Sequence, residues 1–348
     1  MERDPYPLYR TLREGFPVVR DELLGAWLLS RYADVRAALV ATRLGPPGPR
    51  PSPVHLRLLE PALRSSAGRT AFVLARRIAG RREADLVAEF SAWLPAAAAV
   101  AALGLPWEDA TRVQEWCRTG HTQSGALHPE LAALLRPHIA RRRAHPGADL
   151  LSVLCGARVD GQALSDATVT GLAGTLLTGG GEATALALAS FLANLLDHPA
   201  QLNLVRARPG LIPGAWAESL RRDPPAPVVL RRATAPMTLG GTTLPAGAVL
   251  ACLVGSAGRD PFRFADPDRY DIFRADPVDP AGPEAPAHLA FGAGQHLCPV
   301  SPLAGLVAEC GLRALLDAMP GLRWAPGFRP APRGLMARAP RLLLVRPS

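Results

Sequence analysis

Two stretches of the chain carry the periodicity of a buried helix. From Ser165, a residue type suited to capping a helix, apolar positions run through Leu172, Leu176 and Leu177, continue over 185–196, and stop at Asp197-His198-Pro199. Over 302–319, Leu303, Leu306, Val307, Cys310, Leu312, Leu315 and Leu316 fall near one face, which predicts a second helix. Between these, Leu230-Arg231-Arg232-Ala233-Thr234 and then the glycine-marked segment 239–247 predict a short strand, a glycine turn and a return strand. Pro-rich patches at 46–53 and 276–286 read as surface loops. No internal repeat occurs and no Ser- or Gly-rich linker divides the chain. No apolar run is expected to reach the length of a membrane span. The pattern predicts one domain over 1–348, mainly α with a small β-rich lobe.

The first helix carries an anomaly in its middle, Gly179-Gly180-Gly181-Glu182-Ala183-Thr184. Glycine inside a helix costs about 1 kcal/mol relative to alanine, so roughly 3 kcal/mol is given up here. A use for the space is therefore expected.

Charge changes the picture little. The formal net charge of +9 and pI near 10.3 suit a nucleic-acid binder, but no lysine occurs and all 39 basic residues are arginine. With Ala, Gly and Pro abundant, this reads as a compositional bias spread along the chain, and no nucleic-acid-binding signature accompanies it. Arg141-Arg142-Arg143, the densest cluster, reads as a solvated helix face. The five cysteines, at 117, 155, 252, 298 and 310, form neither a Cys-x-x-Cys pair nor an even disulfide framework, which fits a reducing cytosol. Met-Glu-Arg-Asp at the start lacks a signal-peptide apolar core, so a cytoplasmic protein without a membrane partner is expected.

Cys298 stands apart from the other four. It follows the glycine-rich loop Phe291-Gly-Ala-Gly-Gln-His-Leu and comes just before the helix predicted over 302–319. Unpaired N–H groups and the positive dipole end at a helix start lower a thiol's pKa and prepare it as a metal ligand. The alternative is a cysteine packed as a small hydrophobe.

The loop resembles the signature of the haem-thiolate cytochromes, the cytochrome P450 family: Phe291, Gly294, His296 and Cys298 match in order, while Val300 stands where the family has glycine. Upstream, Glu218-Ser-Leu-Arg221 resembles the family's Glu-x-x-Arg helix, with Arg274 as a possible third member. Asp4-Pro5-Tyr6-Pro7 and Trp27-Leu28-Leu29-Ser30-Arg31-Tyr32 are similar to the entry segment of soluble bacterial members. The resemblance fades over 40–82 and 117–135, which look shortened.

The resemblance implies a P450-like fold with a long central helix over a haem b (iron protoporphyrin IX). Cys298 would be the iron's thiolate ligand, with Arg231 and His296 as propionate partners. His55 and Arg57 resemble a further haem-contacting helix, although Leu59 occupies its expected arginine position. Glu218, Arg221 and Arg274 would maintain the fold. In the family the Gly-rich segment of the central helix reads (Ala or Gly)-Gly-x-(Asp or Glu)-Thr, and its acid and threonine organise water that delivers protons during dioxygen cleavage. Glu182 matches the acid; Ala183 takes the threonine position. Thr184 is about 100° further round a regular helix, so it substitutes only if the winding changes locally, as in a π-bulge. The implied activity is monooxygenation of a small hydrophobic or natural-product-like molecule. Electrons would come from a ferredoxin and its reductase, or from peroxide. The alternative from another class is a catalytically silent relative acting as a haem-binding sensor or interaction scaffold, which Ala183 and Val300 favour.

Overall fold

The computed structural model describes residues 4–41, 53–118, 129–159, 161–179, 181–274 and 287–347. The loops expected over 46–53 and 276–286 lie outside these residues apart from Pro53, which opens a helix. The chain forms two compact units. One comprises Met1–Gly48, Ala189–Cys298 and Pro330–Arg341; the other comprises Pro49–Leu188, Pro299–Arg329 and Leu342–Ser348.

The first unit is built on a four-stranded mixed sheet. Val18–Asp21 pairs antiparallel with Ala26–Leu29, which runs parallel to Val249–Cys252, and this strand pairs antiparallel with Val229–Arg232. Alternation along the strands sends Leu29, Leu250 and Cys252 inward. There they pack with Val35 and Leu39 of the helix Tyr32–Val40 and with Phe264. The glycine turn falls where the sequence puts it: Gly240 and Gly241, with φ of 53° and 78°, join Met237–Leu239 to Thr242–Leu244. Two successive positive φ values suit a tight hairpin, and glycine adopts them without steric cost. The strand Val229–Arg232 pairs across the sheet instead of with this hairpin.

The second unit is helical. The long helix Pro53–Ala79 packs along Ser301–Ala318 and Leu94–Ala102. Leu94–Ala102 is apolar all round and almost wholly buried, as a core helix should be. Gly311 allows the close approach: a Cβ there would lie 2.7 Å from Leu94 Cδ2. A three-stranded sheet of Arg323–Trp324, Leu344–Arg346 and Ala84–Asp85 closes one edge.

The long apolar stretch begins as its sequence predicts, with the Ser165 hydroxyl accepting from the Thr168 N–H at 3.2 Å to cap the helix Asp166–Gly174. It then opens into a wide π-type turn, Thr175–Gly179, before the helix Gly181–Asp197. By length and mean hydropathy Asp166–Asp197 is sufficient to cross a membrane, which corrects the expectation that no run is long enough. Glycines and scattered polar residues break the run and conceal its length. Its most apolar window is 73% buried within the protein, the behaviour of a core helix.

Candidate functional site

The cysteine loop is held by its own backbone and by the helix Tyr32–Val40. The Tyr32 hydroxyl donates to the Ala287 carbonyl at 2.7 Å and pins the loop's start. Gly292 and Gly294 take φ of 78° and 60°, reversing the chain twice within three residues. Gly294 also has no room for a side chain, since a Cβ would meet Val40 Cα at 3.0 Å. The loop closes where the Cys298 N–H donates to the Phe291 carbonyl at 2.7 Å. Cys298 is half-buried, two residues before Val300, which caps Ser301–Ala318.

The other described thiols are held toward the neutral form, which disfavours metal binding. Burial pushes the Cys155 thiol up and that of Cys252 to about 12, so both stay neutral. Burial also raises Cys310, whose sulfur donates to the Arg64 carbonyl.

Glu218, Arg221 and Arg274 come together. Helical spacing sets Glu218 and Arg221 on one face of Ile212–Arg222, where Arg221 Nε and Nη2 donate to the carboxylate at 2.7 and 2.8 Å. Arg274 Nε reaches the same carboxylate at 3.0 Å. The two guanidinium groups then spread over the backbone of the following loop. Arg221 donates to the Gly258, Pro267 and Arg269 carbonyls, and Arg274 to those of Ala265, Asp266 and Arg269. Two charged side chains thus serve as hydrogen-bond hubs for a segment without regular structure.

In the helical unit Thr184 is 5% exposed and lines a narrow apolar cavity of about 20 Å³ with Leu176, Val300, Leu303 and Ala304. That is room for about one water. No described residue hydrogen-bonds the Thr184 hydroxyl. Ala183 is exposed and Glu182 is half-buried. The extra residue in the π-type turn accounts for this, because widening a helix by one residue rotates everything beyond it by about 100°. Thr184 therefore takes the inward direction that residue 183 would have on a regular helix.

Arg231 lies half-buried on Val229–Arg232, opposite Leu250. His55 and Arg57 are on Pro53–Ala79 and His296 is in the short turn Gly294–His296, but their side chains lie outside what is described. One residue escaped the sequence reading. His288 is 5% exposed and lines a small cavity with Glu218, Arg221, Asp271 and Arg274. Only its place three residues before Phe291 could have drawn notice.

The cytochrome P450 family model matches residues 213–318, which contain both the Glu218 helix and the Cys298 loop. Pulcherriminic acid synthase of Bacillus subtilis (strain 168) is 30% identical over 99% of this chain and 95% of its own length. The chain belongs to the cytochrome P450 family.

Another relative of this P450 is cyclomarin C epoxidase of Salinispora arenicola, 33% identical over 88% of the chain and 87% of the epoxidase. Among solved structures, a cytochrome P450 of Bacillus megaterium in complex with testosterone superimposes with a TM-score of 0.83 at 26% identity, covering 99% of both chains. The alignment with the synthase runs over 389 positions, more than this chain's 348 residues, so the relative carries segments absent here. The relatives include monooxygenases and hydroxylases, and this P450 is an enzyme of the monooxygenase type.

The donor set of this P450 fits haem iron. Among the described residues no group of three or more His, Cys, Asp or Glu side chains could hold a bare metal ion. A single thiolate on a rigid loop suits a metal whose other ligands come from a macrocycle. Cys298 would hold the iron, with Arg231 and His296 as candidates for the propionates. When bound, the haem supplies one-electron and dioxygen chemistry.

Proposed function

We propose that this P450 oxidises a small hydrophobic or natural-product-like molecule in the cytoplasm as a single haem domain spanning 1–348. Its cofactor is haem b, and its electrons come from a ferredoxin and its reductase. Thr184 holds the proton-delivering water in place of the threonine expected at position 183. The observation that carries this reading is the burial of Thr184 against the cavity it shares with Val300, while Ala183 is exposed. A hydroxyl there both accepts and donates, so it can hold a water and pass a proton through it, with Glu182 as the carboxylate that resupplies the proton.

Relatives support the substrate class. Cyclomarin C epoxidase and nocardicin C N-oxygenase are both named for oxidations of elaborated small molecules. Charge supports an acidic electron donor: Arg69 and Arg77, with Val73 and Trp107, line an open surface groove on the helix Pro53–Ala79. A silent haem-binding sensor or scaffold has Val300 in its favour, because a buried branched side chain stands where the family has glycine.

The test begins with reduced, carbon monoxide-treated protein, which should show the thiolate-type Soret band and lose it in Cys298→Ser. Turnover is then measured with a ferredoxin, its reductase and a broad panel of hydrophobic compounds. A thiolate band without product or substrate-coupled oxygen consumption would select the silent reading.

A further inference from the structure

The cavity beside His288 has a space of about 60 Å³, enough for one to a few water molecules. His288 lines it, and its Nδ1 is buried with no hydrogen-bond partner among the described residues. An unmet buried polar atom carries a desolvation cost, which a bound group would remove. The remaining walls define what that group is.

Arg221 and Arg274 direct their N–H groups at the Glu218 carboxylate and at backbone carbonyls, so neither is aimed at an anion in the cavity. Two guanidinium groups in the wall disfavour a cation. The polar capacity left is Nδ1 and the carboxylate of Asp271, whose Oδ1 already accepts the Phe273 N–H at 3.0 Å and whose Oδ2 lies 3.8 Å from the Arg269 guanidinium. A neutral molecule of water size that both donates and accepts satisfies this set, whichever tautomer His288 adopts.

His288 also connects two parts of the site. Its ring centroid is 5.8 Å from that of Phe291, tilted by 54°, and the Phe291 carbonyl receives the Cys298 N–H. It shares the cavity wall with Glu218 and Arg221. We propose that the cavity is a built hydration site, and that its water makes His288 a positioning residue tying the Cys298 loop to the Glu218–Arg221–Arg274 network.

The experiment uses the haem-loaded full chain, His288→Phe, which keeps a ring but lacks the polar atom, and His288→Gln, which restores a polar group. A crystal structure that orders water should show density within about 3.2 Å of Nδ1. In mild guanidinium, the reduced carbon monoxide-bound thiolate band should convert to the non-thiolate form about tenfold faster in the Phe variant, with Gln recovering most of the loss. A dry cavity, or a Phe variant converting at the wild-type rate, overturns the proposal. If the Phe variant does not fold, the water density and the Gln variant decide. The link to the thiolate rests on Cys298 as iron ligand. Failure of that reading would remove the band from the unmodified protein too, leaving the water density to decide hydration.

Discussion

Glu218 and Arg221 share two hydrogen bonds, at 2.7 and 2.8 Å, with both side chains withdrawn from solvent. Removing Arg221 strips the buried Glu218 carboxylate of two hydrogen bonds and leaves it to Arg274, and a loss of this kind exceeds the net worth of the pair. Arg221→Leu should therefore cost about 3–5 kcal/mol in chemical denaturation. It should also loosen the 258–271 loop, where Arg221 serves three carbonyls. Hydrogen exchange over that loop checks the second effect.

Thr184→Ala should lower product formed per electron consumed by about tenfold or more, while oxygen uptake continues, because a positioned proton carrier typically contributes 10²–10⁴-fold. Thr184→Ser should keep most of the coupling. Ala183→Thr in the Thr184→Ala background should restore little, since position 183 faces outward. Recovery of coupling by that double variant would sink the assignment.

Burial, reinforced by Arg221, lowers the His288 pKa to about 4 from an ordinary 6.5. The groups facing it are Arg221 and Arg274 as cations and Glu218 and Asp271 as carboxylates. Between these two pKa values the unfolded chain binds a proton that the folded protein refuses, so stability should fall as pH drops from about 6.5 to 4, by up to about 3 kcal/mol. Asp223 acts lower on the scale. Burial pushes its carboxyl up, but Arg259 and Arg222 outweigh this and hold it below 3.8, so its contribution is present above that pH and lost beneath it. Melting temperature against pH should show both windows, and His288→Gln should flatten only the upper one.

Gly294→Ala combines a positive φ with a contact to the Val40 backbone, and should cost more than about 1 kcal/mol and weaken haem retention. Gly171→Ala is the contrasting control. It lies within Asp166–Gly174 with nothing within 4 Å of an added Cβ, so a gain of about 0.5–1 kcal/mol is expected by thermal melting.

The features legible in the sequence are those with local causes. Ser165 announces a helix start because its side chain completes the first turn; Pro199 announces a stop because it lacks an N–H, and the helix ends at Asp197. Gly240-Gly241 marks its hairpin through conformational freedom alone. The Glu218, Arg221 and Arg274 grouping was reached through family resemblance, since i,i+3 charge pairs are too common to be diagnostic. What stayed hidden depends on distant partners. The parallel pairing of Ala26–Leu29 with Val249–Cys252 joins segments more than two hundred residues apart, beyond any periodicity. The burial of His288 comes from the Glu218 helix, far back in the chain. The π-type turn lies between these cases: the glycines mark a weakness in the helix, but packing decides how it is wound.

That turn changes how substitutions along Gly181–Asp197 should be interpreted. Matching letters column by column against a relative with a regular helix pairs side chains that point in different directions, by about one hundred degrees. Mutational scans, grafts of a relative's residues and comparisons of natural variants in this segment need to be indexed by helix face. On that footing Ala183→Thr installs a solvent-facing hydroxyl, and Thr184, the proposed counterpart of the family's threonine, is one step further along the chain.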